Sequence, residues 1–197
     1  MKEILIRRVT GLADLRKVYG LAYETYMRTG LVNTTTDDLM IHHPAQDVVP
    51  QTHIFVAEEG TKMVGTLTFS IDNQFGLMVD EDFKKEVDVY RELFPKIAAV
   101  WRFAILPEHQ SDSRIMKKLI AVVASCLDVF NVSICFFTLS PDHARIYERA
   151  MNMEEVCRGK DMNPLIKEEH QEVVLMKLYT EKIPKRWQLK TRVEAFV

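Results

Sequence analysis

From Ile97 to Leu106 the chain runs through ten residues with a single charge, Arg102, and stops at Pro107. An apolar run of this length closed by a proline predicts a buried strand. Directly after it, Ile115, Leu119, Val122, Val123, Cys126 and Phe130 recur at helical spacing, with Arg114, Lys117 and Lys118 on the opposite side, which predicts an amphipathic helix. Upstream, residues 2–9 alternate apolar and charged as a half-buried strand does. Residues 12–27 turn helical and stop near Gly30. THIFVAEE and KMVGTLTFSI flank Gly60 as a hairpin. Between that helix and the hairpin, residues 31–50 are polar, hold two prolines and show no period, the mark of a long functional loop.

The run DEDFKKEVDVYRELF reads as a helix with Asp80 at its start and Phe83, Val87, Tyr90, Leu93 and Phe94 on one face. NVSICFFTLS reads as a strand covered on both faces. Ser140-Pro141 then opens a helix with an N-cap and a proline at its first position, and MEEVCRG and QEVVLMKLYT supply two last strands. The order β-α-β-β-α-β-α-β-α-β-β is that of an α/β (α+β) domain over residues 1–180. Residues 181–197 form a basic amphipathic tail expected to pack back on it.

Composition narrows the function. The chain has 197 residues, a formal net charge of −2 and 47% hydrophobic residues, giving no general affinity for nucleic acid. No stretch is apolar for the ~18 residues that a transmembrane segment needs. Cys126, Cys135 and Cys157 form no CxxC pair and read as buried thiols of a cytoplasmic protein. His42 and His43 are adjacent, so an extended loop points them to opposite sides. With no ligand spacing among the other histidines, no metal site is expected.

Strand, polar turn and helix over RFAILPEHQSDSRI, followed by PDHARIYERAMNMEEV, resemble the two signatures of the GNAT superfamily of N-acyltransferases. The helix ending in AYETYMRTGLV, the IDNQFGLMVDEDF segment and the helix before the central strand are similar to the long-chain N-acyl amino acid synthases, relatives of the acyl-homoserine-lactone synthases. The resemblance implies a mixed, mostly antiparallel sheet splayed between its central strands and flanked by helices. It implies transfer of a fatty acyl group from a carrier-protein or coenzyme A thioester to an amino acid amine, without a permanently bound cofactor. It also places Tyr147 as the acid that protonates the departing thiolate, and the donor at Phe103, Ala104, Ile105, Leu106, Gln110, Ser113, Arg114 and Ile115. Ser113 and Ile115 stand where the superfamily usually has glycines, Ala99 and Trp101 where the branch has an acid and a serine, and Ala22 where it has an arginine.

The residues carry their own chemistry. Thioester aminolysis needs a polarised carbonyl, a neutral amine and a proton for the thiolate. Backbone amides near Ala104, Ile105 and Leu106 meet the first need if the strand bulges. Arg102, costly in an apolar strand unless paired, is expected either to clamp a substrate carboxylate or to hold Glu24 or Asp72. Glu24 and Asp72 are themselves candidates for deprotonating or positioning the amine. Phe75, Met78, Phe136 and Phe137 are acyl-tunnel candidates, and Arg114, Lys117 and Lys118 a docking face for an acidic carrier protein. A coenzyme A-dependent acetyltransferase of a small amine or peptide, and an acyl-binding protein without turnover, remain alternatives.

Overall fold

A computed structural model describes residues 3–187. Seven strands form one sheet in the order β1-β2-β3-β4-β5-β7-β6. They are β1 (Ile4–Arg8), β2 (Thr52–Glu59), β3 (Lys62–Ile71), β4 (Ile97–Ile105), β5 (Ile134–Leu139), β6 (Glu154–Lys160) and β7 (Glu172–Tyr179). Only β4 and β5 run parallel; every other neighbouring pair is antiparallel. The helices are α1 (Leu12–Arg28), a short α2 (Pro44–Asp47), α3 (Asp80–Leu93), α4 (Ser113–Val129) and α5 (Pro141–Met151). No helix among the described residues is long and apolar enough to cross a membrane.

Alternation along the strands divides the core into layers. Ala98 and Val100 of β4, Cys135 and Phe137 of β5 and Val174 and Met176 of β7 pack with Ile115, Leu119 and Val122 of α4. Ile97, Ala99, Ile134, Phe136 and Leu175 point the other way, onto Phe83 and Val87 of α3. Helix α1 covers the far end of that second face through Leu15 and Val18 against Ile54 and Val56. Helix α3 starts at Asp80 as expected, with Val79 in the cap position, and the Asp80 carboxylate accepts the Leu77 N–H at 2.8 Å from within the first turn. The start of the tail packs on the α4 layer, where Trp187 is buried and its indole donates to the Ala150 carbonyl at 2.9 Å. The expected contacts of Leu189, Val193 and Phe196 lie outside the described residues.

His53 on β2 is buried and stacks on Phe130 with 4.6 Å between ring centroids. Burial, and secondarily Arg8, lowers its pKa to about 4 from an ordinary 6.5. A lowered histidine pKa means the folded state holds the ring neutral. Its contribution to stability is therefore complete above pH 6.5 and is lost as pH falls toward 4. The stability difference between the wild type and a His53→Phe variant is expected to shift by at most about 3 kcal/mol across that window. Urea unfolding at pH 7 and at pH 4 measures it, and equal differences at both would show that His53 is not what titrates.

Candidate active site

The parallel pair β4–β5 is laddered only from Ile97↔Ile134 to Val100↔Phe137. Beyond it, Trp101 to Ile105 on one side and Thr138 and Leu139 on the other are unpaired with each other, although β5 continues its ladder with β7 to Leu139↔Val174. The splayed sheet is present, and the two strands part after Val100 and Phe137.

A bulge sits at the mouth of this gap. Thr68 faces Trp101 while Thr66 faces Ala104, so β4 carries one residue more than β3, and Arg102 takes a left-handed φ of +50°. The extra residue resets the phase of the strand. Before it Ala98 and Val100 face α4; after it Ile105 faces α4, and Ala104 and Leu106 face Leu21 of α1. Without the bulge, strand alternation would drive the Arg102 side chain into the apolar α4 layer.

The bulge also sorts the amides. Leu106 N–H donates to the Val64 carbonyl at 3.0 Å, and Ala104 faces Thr66 across the β3 ladder. Alternation then turns the main-chain groups of Phe103 and Ile105 to the opposite edge, toward the gap. Their carbonyls are already held: Tyr26 O–H donates to Phe103 O at 3.3 Å and Gln110 Nε2 to Ile105 O at 3.1 Å. Of the three amides singled out in the sequence, only that of Ile105 faces the gap, and those of Ala104 and Leu106 are committed to β3. Burial pushes the Tyr26 phenol up to about 12, so it stays a donor.

Arg102 is fully enclosed, with a side chain 3% exposed against 0% for its partner. That partner is Asp47, in place of the expected Glu24 or Asp72. Both guanidinium ends meet the Asp47 carboxylate at 2.9 Å, Tyr19 O–H adds a bond of 2.7 Å, and the guanidinium lies 4.1 Å from the Trp101 ring centroid. With its fork taken up, Arg102 organises the site and is not available to clamp a substrate carboxylate. Asp72 is instead bound by Arg91 through bonds of 2.8 and 3.0 Å. Glu24 is an exposed partner of Arg28, which also holds Glu108 at 2.7 Å.

On β5, the Thr138 hydroxyl oxygen is buried without a hydrogen-bond partner among the described residues. Sequence reasoning passed over this residue, although a lone threonine after CFF is the polar position of that strand. Tyr147 on α5 is half-buried against the α4-side core, its hydroxyl makes no hydrogen bond to the described residues, and burial alone raises its pKa.

The donor turn is more constrained than its composition suggested. Asp112 caps α4 by accepting the Arg114 N–H at 3.0 Å, and the Arg114 side chain folds back onto it, Nε lying 2.9 Å away. That ion pair holds the Asp112 carboxyl down at about 2. Lys118 donates to the Ile4 carbonyl at 2.6 Å. Of the three basic residues only Lys117 points freely to solvent. Ser113 is exposed, but Ile115 is wholly buried in the α4 core, 3.3 Å from where a Cβ on Gly65 would lie; it therefore does not enter the donor space. The tunnel candidates also separate: Phe136 and Phe137 lie on opposite faces of β5, Met78 packs with Phe136, and Phe75 is 55% exposed.

A model of the N-acyl amino acid synthase FeeM family matches residues 17–178. Among curated proteins no relative matches. Among solved structures, FeeM, an N-acyl amino acid synthase from uncultured soil microbes, is 15% identical with a TM-score of 0.76, over 92% of this chain and 93% of that one. The acyl-homoserine-lactone synthase LasI is 12% identical with a TM-score of 0.64, over 91% of each chain. The ribosomal-protein-S18-alanine N-acetyltransferase of Escherichia coli is 12% identical with a TM-score of 0.61, over 90% of this chain and 94% of that one.

Proposed function

Because the chain belongs to the N-acyl amino acid synthase FeeM family, an acyltransferase family of the GNAT fold, we propose that it moves a long fatty acyl group from a carrier-protein thioester to the α-amine of an amino acid or a similar small amine. The observation that carries the reading is the gap beyond Val100 and Phe137, with the Ile105 amide on its β4 edge. A pantetheine arm laid there extends the β4 edge as a strand would. Its thioester carbonyl accepts the Ile105 N–H, which stabilises the negative charge that builds on that oxygen. The neutral amine attacks the carbonyl carbon, the C–S bond breaks, and the Tyr147 O–H protonates the sulfur. The amine's surplus proton leaves to water, water returns a proton to the Tyr147 phenolate, and an amide and a free thiol remain.

The donor turn favours a carrier protein over free coenzyme A. A pyrophosphate approaching the start of α4 meets the Asp112 carboxylate, charged at every ordinary pH, while the neighbouring guanidinium is spent on that same carboxylate. A carrier protein presents one phosphate there in place of three. Such a donor also implies a cytoplasmic enzyme.

The purified protein is to be supplied with matched long-chain thioesters of acyl carrier protein and coenzyme A, together with a mixture of amino acids. Thiol release and product mass are read together. An N-acyl amino acid formed at least about tenfold faster from the carrier protein is the expected result. Release only from acetyl-coenzyme A would replace the reading with an acetyltransferase, and thioester binding without release would replace it with an acyl-binding protein.

A further inference from the structure

The loop before α2 brings His42 and His43 to the same side. Their ring centroids are 3.9 Å apart, and both Nε2 atoms turn to one oxygen of Glu81 in the first turn of α3, at 3.0 and 3.4 Å. The expectation that adjacent histidines diverge holds for an extended backbone, and His43 departs from one, with φ −122° and ψ 70°. The two nitrogens and the carboxylate oxygen all lie within 4.8 Å of one another.

We propose that His42, His43 and Glu81 form a binding site for a divalent transition-metal ion, zinc in the first instance, which fastens the loop before α2 to the start of α3. Three observations converge on it. Zn–N and Zn–O bonds of about 2.0–2.1 Å put tetrahedral donor atoms about 3.3 Å apart, the spacing found between each imidazole and Glu81. Both Nε2 atoms are buried and have no hydrogen-bond partner among the described residues, although Glu81 is within reach. Three electron-pair donors directed at one point, the two nitrogens buried and Glu81 on its exposed side, repel one another unless a cation or protons lie between them. Charge around the cluster also suits a cation. Arg102 is nearby but answered by Asp47, and Asp82 and Asp161 lie within electrostatic range of Glu81. Two imidazoles and one carboxylate suit zinc and leave a fourth position for water or a ligand oxygen. The site is one step from the bulge, because the His43 ring stands edge-on to Trp101 at 5.5 Å, and Trp101 in turn packs on Arg102.

The test needs no turnover. The full chain, stripped with a chelator and dialysed, is titrated with Zn²⁺ by calorimetry and with Co²⁺ by visible absorption. One equivalent of Zn²⁺, with the intense bands of four-coordinate cobalt, is expected. His42→Ala, His43→Ala and Glu81→Gln are each expected to weaken binding by more than about a hundredfold, beyond the loss of an outer-shell partner. Hydrogen exchange on the wild type gives the location without any variant: Zn²⁺ is expected to slow exchange in residues 40–47 and at the start of α3. Wild type that takes up no stoichiometric zinc, or zinc uptake that leaves those segments unprotected and the three variants unaffected, overturns the proposal.

Discussion

Replacing Asp47 with alanine is expected to destabilise the protein by about 3–5 kcal/mol, the usual cost of stranding one member of a buried ion pair. Arg102 would keep Thr68 Oγ1 at 3.3 Å and the Trp101 and Tyr19 rings, but no carboxylate, in a site where its side chain is 3% exposed. Against a typical domain stability of about 5–15 kcal/mol, that is enough to unfold a large fraction of molecules at physiological temperature. The double variant Asp47→Leu/Arg102→Met removes both charges and is expected to recover much of the loss. Urea unfolding at neutral pH measures all three proteins. If the alanine variant stays within about 1 kcal/mol of wild type, or the double variant is no better than the single, the pair does not carry the stability assigned to it.

A Tyr147→Phe variant is expected to keep its fold and its thioester affinity while kcat falls by about a hundredfold, within the range for loss of a positioned general acid. The ring keeps its place against the α4-side core, and only the hydroxyl is removed. Because burial raises this phenol, it is protonated throughout the neutral range. The wild-type rate should therefore lose its alkaline side only above the ordinary phenol value of ~10. A thioester with an acidic aromatic thiol needs no proton on departure, so with it the two proteins should turn over at nearly equal rates. A variant as active as the wild type on the ordinary thioester would reduce Tyr147 to packing. A defect of the same size with the aromatic thioester would assign it to positioning.

Periodicity made the elements legible, and Ser140-Pro141 marked the start of α5 because cap and proline chemistry act within a few residues. What escaped depends on distance in the chain or on a single backbone angle. Asp47 is 55 residues from Arg102 and ends the four-residue α2, in a stretch with no period to place it. The bulge has no local signature, since a positive φ is usually a glycine's property and the residue that adopts it is an arginine. An isolated charge in IAAVWRFAIL did show that something unusual happens there, but not that the strand changes phase. The opposite facing of Phe136 and Phe137 was available from alternation alone. So was the pairing of Arg114 with the cap Asp112 two residues before it, but the fate of Lys118 was not, because its acceptor, the Ile4 carbonyl, is fixed only once α4 is docked.

The extra residue at Arg102–Phe103 makes β4 intolerant of length changes in a way that point substitution would never reveal. Deleting Phe103 would let the strand regain continuous pairing with β3, with Trp101 still opposite Thr68, Ala104 still opposite Thr66, and Arg102 now opposite Leu67. The Arg102 side chain would turn from Asp47 into the apolar α4 layer, while Ile105 kept its place. Transplanting this strand into a related scaffold, or trimming it in a redesign, therefore has to conserve residue count before residue identity.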